Sequence, residues 1–191
     1  MNKGRLEAFS DGVIAVIITI MVLDLKVPHG ADLAALRPVL PVFLSYALSF
    51  LYVGIYWSNH HHMLQACHKV NGRILWANLH LLFWMSLIPV VTGWMGENYR
   101  AAIPVALYGS VMFLSGIAYL ILGRALIALH GADSPLAVAL GRDFKGKVSL
   151  LLYAIAVAVS FVDAWLALAI YAAVALMWIA PDPRIEKRIS A

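Results

Sequence analysis

The chain has 191 residues, of which 63% are apolar and only 13% charged, with a formal net charge of +4. An ordinary soluble domain is roughly 45–50% apolar and about a quarter charged, so this composition excludes one and predicts an integral membrane protein. At ~20 residues per crossing, five to seven helices use up the chain and leave no soluble domain of normal size. The single cysteine, Cys67, rules out a disulfide framework and any Cys-based metal or iron–sulfur site within one chain. The first ten residues are polar and no small-residue cleavage site follows Leu23, so no cleavable signal peptide is expected. The positive charges lie in loops beside hydrophobic runs, a pattern of membrane topology rather than of nucleic-acid binding.

The first apolar run, Val13 to Leu23, is too short alone against a core of ~30 Å. Extended over 5–27 it spans, and then carries Arg5, Glu7, Asp11 and Asp24 within or beside the bilayer. The second run, over 38–66, has Pro41 in its first turn, where proline is tolerated. The third, over 74–95, holds an interior Pro89 that predicts a kink. The fourth covers 101–125. The last two, 147–162 and 164–180, form a hairpin hinged at Asp163. The fifth run is short and needs Lys145 and Lys147 to snorkel. The expectation is one transmembrane domain over residues 1–191, without an internal repeat.

Orientation follows from Lys and Arg. One side carries Lys3, Arg5, Lys69, Arg73, Arg124, Arg142, Lys145, Lys147, Arg184, Lys187 and Arg188; the other carries Lys26, Arg37 and Arg100. This bias predicts a multi-pass cell-membrane protein with both termini cytoplasmic.

Polar residues inside a bilayer are costly and mark function or helix packing. Arg5, Ser10 and Asp11 enter on the first helix, Asn59 to His62 end the second, and Asn78 and His80 begin the third. Hairpin depth sets His61 and His80 at one level, and an unpaired Asp11 there calls for Arg5 or a histidine as partner. The cluster reads as inter-helix bracing, with gating or pH sensing as the functional alternative. Consecutive histidines point ~100° apart on a helix, so His60, His61 and His62 share no face. His61 with His80 makes too poor a ligand set for a metal site, and the same pair is the one candidate for haem axial ligands, a reading that is not favoured. No serine, cysteine or carboxylate pair suggests hydrolysis, so no enzymatic activity is expected.

Gly12, Val16, Thr19, Ile20, Leu23 and Val27 run along one side of the first helix. Such a stripe reads either as buried packing or, in a ring of copies, as the wall of a pathway. Arg5, then Phe9-Ser10-Asp11, with Thr19 eight residues on, resembles the signature of the transmembrane protein 175 family, the endolysosomal potassium channels and their bacterial relatives. Tyr56 to His62 and Trp76 to Trp94 are similar to that family's second and third helices. The resemblance covers nearly the whole chain.

The resemblance implies six-helix subunits, four single-repeat chains per assembly, and a central pore lined by the first helices. It places an aliphatic constriction at Val16, a hydroxyl ring at Thr19 and a second aliphatic ring at Leu23, with Ile20 on the same face. The family more often has isoleucine or leucine at the constriction, and Val16 is smaller. Arg5, Phe9, Ser10, Asp11, His61, Asn78 and His80 map to the motif and the network that braces the pore helix. The potassium filter T-V-G-Y-G is absent, so selection falls to hydroxyls and an apolar constriction. The resulting expectation is a homotetrameric, potassium-selective cation channel in the lipid bilayer, conducting passively, with no cofactor and no metal beyond permeating potassium. The alternative is a proton-coupled secondary transporter built on Asp11 and the histidines. That reading lacks the inverted repeats such transporters tend to show.

Overall fold

Caps and prolines set the helix limits. The computed structural model describes residues 3–131 and 143–179, together with Ser134 and Ala137. Helix α1 (Lys3–Leu23) stops earlier than the expected residue 27. Asp24 and Leu25 tighten into three-residue bonds to Met21 and Val22, and Val27 precedes Pro28, which disfavours helical backbone. Because α1 begins at Lys3, its 21 residues still rise ~31 Å. Val27 therefore leaves the helical stripe.

After a 3-10 turn at Leu33–Leu36, α2 (Leu40–Gln65) starts with Pro41 where no N–H partner is needed. The Asn71 side chain accepts from the Ile74 N–H at 3.0 Å and caps α3 (Gly72–Ser86). Pro89 lacks an N–H, and the rod breaks at Leu87 before resuming as α4 (Ile88–Glu97).

Helix α5 (Ala102–His130) runs five residues beyond the expected 125 and ends at Gly131, whose φ of 93° suits glycine. His130 closes the extra turn: its Nε2 accepts from the backbone N–H groups of His68 and Lys69 at 3.2 and 3.3 Å. The end of α5 is thereby fastened to the α2–α3 loop. Asp143 caps α6 (Phe144–Val159) through the Gly146 N–H, and Asp163 caps α7 (Ala164–Ile179) through the Trp165 N–H. Arg142, Ala180, Arg184, Lys187 and Arg188, used above for orientation and for the last span, lie outside the described residues.

The chain is a multi-pass membrane protein, and its described residues are all-helical, with six long helical rods, α3 and α4 being the two halves of the third. α1, α2, the α3–α4 rod and α5 are each long and apolar enough to cross a membrane. Helix α5 packs against α3, α4, α6 and α7, whereas α1 lies at the margin against α2, α3 and α4. Buried hydroxyls stitch the interior. Thr92 donates to Ser49 at 2.7 Å, Ser49 to Tyr108 at 3.1 Å, and Tyr52 to the Tyr171 carbonyl at 2.6 Å. Bonds of this kind between membrane helices average ~0.6 kcal/mol each, so they fix geometry more than they supply stability. Close approach needs glycine at two points: a Cβ on Gly96 would press on the Val42 backbone, and one on Gly109 would occupy the place of the Tyr171 hydroxyl.

Candidate functional site

Burial divides α1 into two faces. Leu6, Ser10, Ile14, Ile17 and Met21 are buried against the bundle at i, i+3 and i+4 spacing. Gly12, Val16, Thr19, Ile20 and Leu23 form the opposite face and are exposed on the subunit, Val16 at 53% and Leu23 at 79%. Between the two sequence readings of this stripe, the structure removes burial within the subunit. The Thr19 hydroxyl donates back to the Ala15 and Val16 carbonyls, at 3.0 Å to each.

The buried face carries one polar chain. Ser10 Oγ donates to the Leu6 carbonyl at 2.8 Å and accepts from Asn78 Nδ2 at 2.9 Å. The other end of that amide, Oδ1, lies 2.7 Å from His60 Nε2. All three side chains are fully or almost fully buried. An unpaired polar group in this position would cost ~1–3 kcal/mol, so the chain fixes the rotation of α1 against α2 and α3 at one depth.

The remaining motif residues lie elsewhere. Asp11 pairs with neither Arg5 nor a histidine; its Oδ1 accepts from the Trp57 indole N–H at 3.0 Å, on the exposed side of α2. Arg5 and Phe9 are exposed, and Arg5 makes no ion pair among the described residues. His61 and His80 share a level in sequence terms but face different surroundings. His61 stacks on Trp57, with centroids 6.1 Å apart. His80 accepts from Trp84 Nε1 at 2.9 Å and lines a groove between α3 and α5. The cause is angular: a step from His60 to His61 turns ~100° about α2 and moves the ring from the core to the surface.

Sequence reasoning thus missed His60 and Trp57. A usable signal existed for His60, since it extends the buried stripe Ser45, Ser49, Tyr52, Val53 and continues to Met63 and Leu64. Trp57 and His61 are an i, i+4 pair on the other side. Among the described residues no group of three or more His, Cys, Asp or Glu could hold a metal ion.

At the far end of α1, the carboxylate of Asp24 lies against Gly93 of α4. Nearby, Lys26 Nζ meets Glu97 Oε1 at 2.6 Å. Glu97 raises the ammonium pKa above its ordinary value, first through the hydrogen bond and then through its charge. By linkage the lysine's part of this tether is complete at neutral pH and is lost as pH rises through that raised pKa. Cys67, in the α2–α3 loop, is buried, and burial pushes its thiol up to about 11.

The profile of the family "Endosomal/lysosomal potassium channel TMEM175" matches residues 5–89, from Arg5 of α1 to Pro89 at the kink. A potassium channel of Chryseobacterium sp. (strain P1-3) is 54% identical over 189 residues, covering 99% of this chain and 98% of that protein. The human endosomal/lysosomal proton channel TMEM175 is 41% identical over 73 residues, which is 32% of this chain but 14% of that protein. The crystal structure of a lysosomal potassium-selective channel TMEM175 homolog from Chamaesiphon minutus superposes with a TM-score of 0.78 at 26% identity, over 93% of this chain and 96% of that one. The matched relatives are named channels, not enzymes. With more than half of its residues identical along the full length of the Chryseobacterium protein, the chain belongs to the TMEM175 family, in the single-repeat form of its bacterial members.

Proposed function

We propose that this chain is the subunit of a homotetrameric potassium-selective channel whose pore is lined by four copies of α1. One observation carries the reading: α1 is clamped along one face by Ser10, Asn78 and His60, while its Val16–Thr19–Ile20–Leu23 face is left open at the margin of the subunit. A rotation axis beside that face closes the exposed stripe into a conduit. Val16 then forms an apolar constriction where ions must shed water, Thr19 places a hydroxyl oxygen one turn on, and Leu23 forms a second aliphatic ring. Two bacterial relatives, matched over 98% and 92% of their lengths, bear potassium-channel names, which supports potassium as the permeant ion. Conduction of this kind needs no cofactor. The Lys and Arg distribution supports a cell-membrane protein with both termini in the cytoplasm.

A proton-coupled carrier built on Asp11 and the histidines would pair that carboxylate with an imidazole, and Asp11 instead accepts from an indole. Recording from purified protein in planar bilayers with asymmetric potassium and sodium tests the proposal. Unitary currents far above ~10³ ions per second exceed a carrier's conformational cycle, and a reversal potential near that of potassium supports selectivity. Reversal that follows a pH gradient instead would replace potassium by the proton.

A further inference from the structure

At the end of the bundle that holds the start of α1, α3 and α5 leave an open groove of about 450 Å³ between them. Its walls are Arg73 and Trp76 from the first turns of α3 and Arg124 from the last turns of α5. Ala125 and Ala128 lie between them and keep the space free of bulk, and His80 closes the inner end. Both arginines are exposed, and neither forms an ion pair among the described residues. No acidic residue occurs in α3, in α5 or in the 66–71 loop between α2 and α3. Because His80 Nε2 accepts from Trp84, the ring hydrogen sits on Nδ1, where it has no acceptor among the described residues. Trp76 is 75% exposed, the placement of a tryptophan at a membrane–water boundary.

Arg124 lies six residues inside the end of α5, or ~9 Å along the axis, and ~33 Å from Ala102, the level at which a span that starts at Ala102 leaves a core of ~30 Å. The groove is therefore lined by two planar cationic donors and, among the described residues, by no carboxylate. We infer that it is a site for the phosphodiester headgroup of an anionic phospholipid. The phosphate sits between Arg73 and Arg124 in fork geometry, the Trp76 ring lies at the glycerol level, and an acyl chain runs along the alanines. Basic pockets between membrane helices at this level select anionic headgroups. This assignment does not depend on which ion the channel passes.

The test is titration of the full-length protein in neutral detergent with dioleoyl phosphatidylglycerol or dioleoyl phosphatidylcholine, counting bound lipid by native mass spectrometry. Two basic contacts should favour phosphatidylglycerol by roughly ten- to thirtyfold. The double substitution Arg73→Gln with Arg124→Gln should abolish that preference, and the Lys pair should keep part of it. Ala128→Leu, which fills the groove while retaining both charges, should also weaken binding without altering the oligomer. Equal retention of the two lipids by the unsubstituted protein would overturn the inference, as would an undiminished preference in the Gln pair. Complete displacement by millimolar inorganic phosphate would make the groove a soluble-anion site instead. Dissociation of the oligomer by Ala128→Leu would make it a subunit contact.

Discussion

Asn78 of α3 donates its side-chain amide to Ser10 of α1 across 2.9 Å of buried space, and this bond joins the helix with the open face to the interior of the subunit. The same amide accepts from His60 of α2, so that one residue holds two helices in register. Asn78→Leu should therefore be costlier than Ser10→Ala. It leaves both Ser10 and His60 without their partner, at ~1–3 kcal/mol per buried group, whereas Ser10→Ala removes a single acceptor. Thermal unfolding followed by circular dichroism in detergent ranks the two, and equal midpoints would mean that the chain of bonds is idle.

Asp11 and Trp57 form a second link between α1 and α2, exposed in the subunit and so worth only ~1 kcal/mol. Trp57→Phe and Asp11→Asn should each lower stability or assembly, and the double variant should lose less than the two effects added. Strict additivity in that cycle would show that the indole and the carboxylate do not interact in the membrane.

Cysteines placed at Val16, Thr19 and Leu23 should react with water-soluble thiol reagents entering an open pore, while those at Ile14, Ile17 and Met21 should be protected. The native Cys67 adds no background, being buried and poorly ionised at neutral pH. Modification of the second set in place of the first would turn α1 by half a revolution.

Val16→Asn should raise conductance and weaken discrimination between potassium and sodium, because a hydrated ring removes the dry barrier. Val16→Leu should reduce current, and Thr19→Val should lower selectivity with less effect on closure. Single-channel recording of the three variants side by side locates the narrow point. An unchanged Val16→Asn beside an altered Ile20 or Leu23 variant would move it along the stripe.

Away from α1, Gly109→Ala should cost ~1–3 kcal/mol, since the added methyl occupies the place of the Tyr171 hydroxyl, which donates to the Val105 carbonyl at 3.1 Å. Tyr171→Phe in the same background should recover part of the loss in a thermal melt.

The helical rods were readable because long apolar runs bounded by charges and prolines have few other interpretations. The two faces of α1 were less so. Helical spacing groups Gly12, Val16 and Thr19 on one side but does not say which side the bundle covers, and in an apolar chain the lipid-facing, pore-facing and buried sides look alike. The ends of α1 and α5 escaped for local reasons. A tight turn before Pro28 shortens the one, and the long-range grip of His130 on the His68 and Lys69 amides lengthens the other. The bracing network was expected to include His61, and the structure puts His60 there instead, because depth fixes height on a helix and leaves the angle open.

The Thr19 hydroxyl has one hydrogen, and it is already turned inward, shared between the Ala15 and Val16 carbonyls of its own helix. What remains on the outward side is an oxygen with lone pairs and nothing to donate. In a ring of four, such oxygens could receive a cation as it loses its water, but would have no hydrogen to offer chloride. Charge sign would then be sorted by a rotamer held by the backbone, with no fixed charge in the wall.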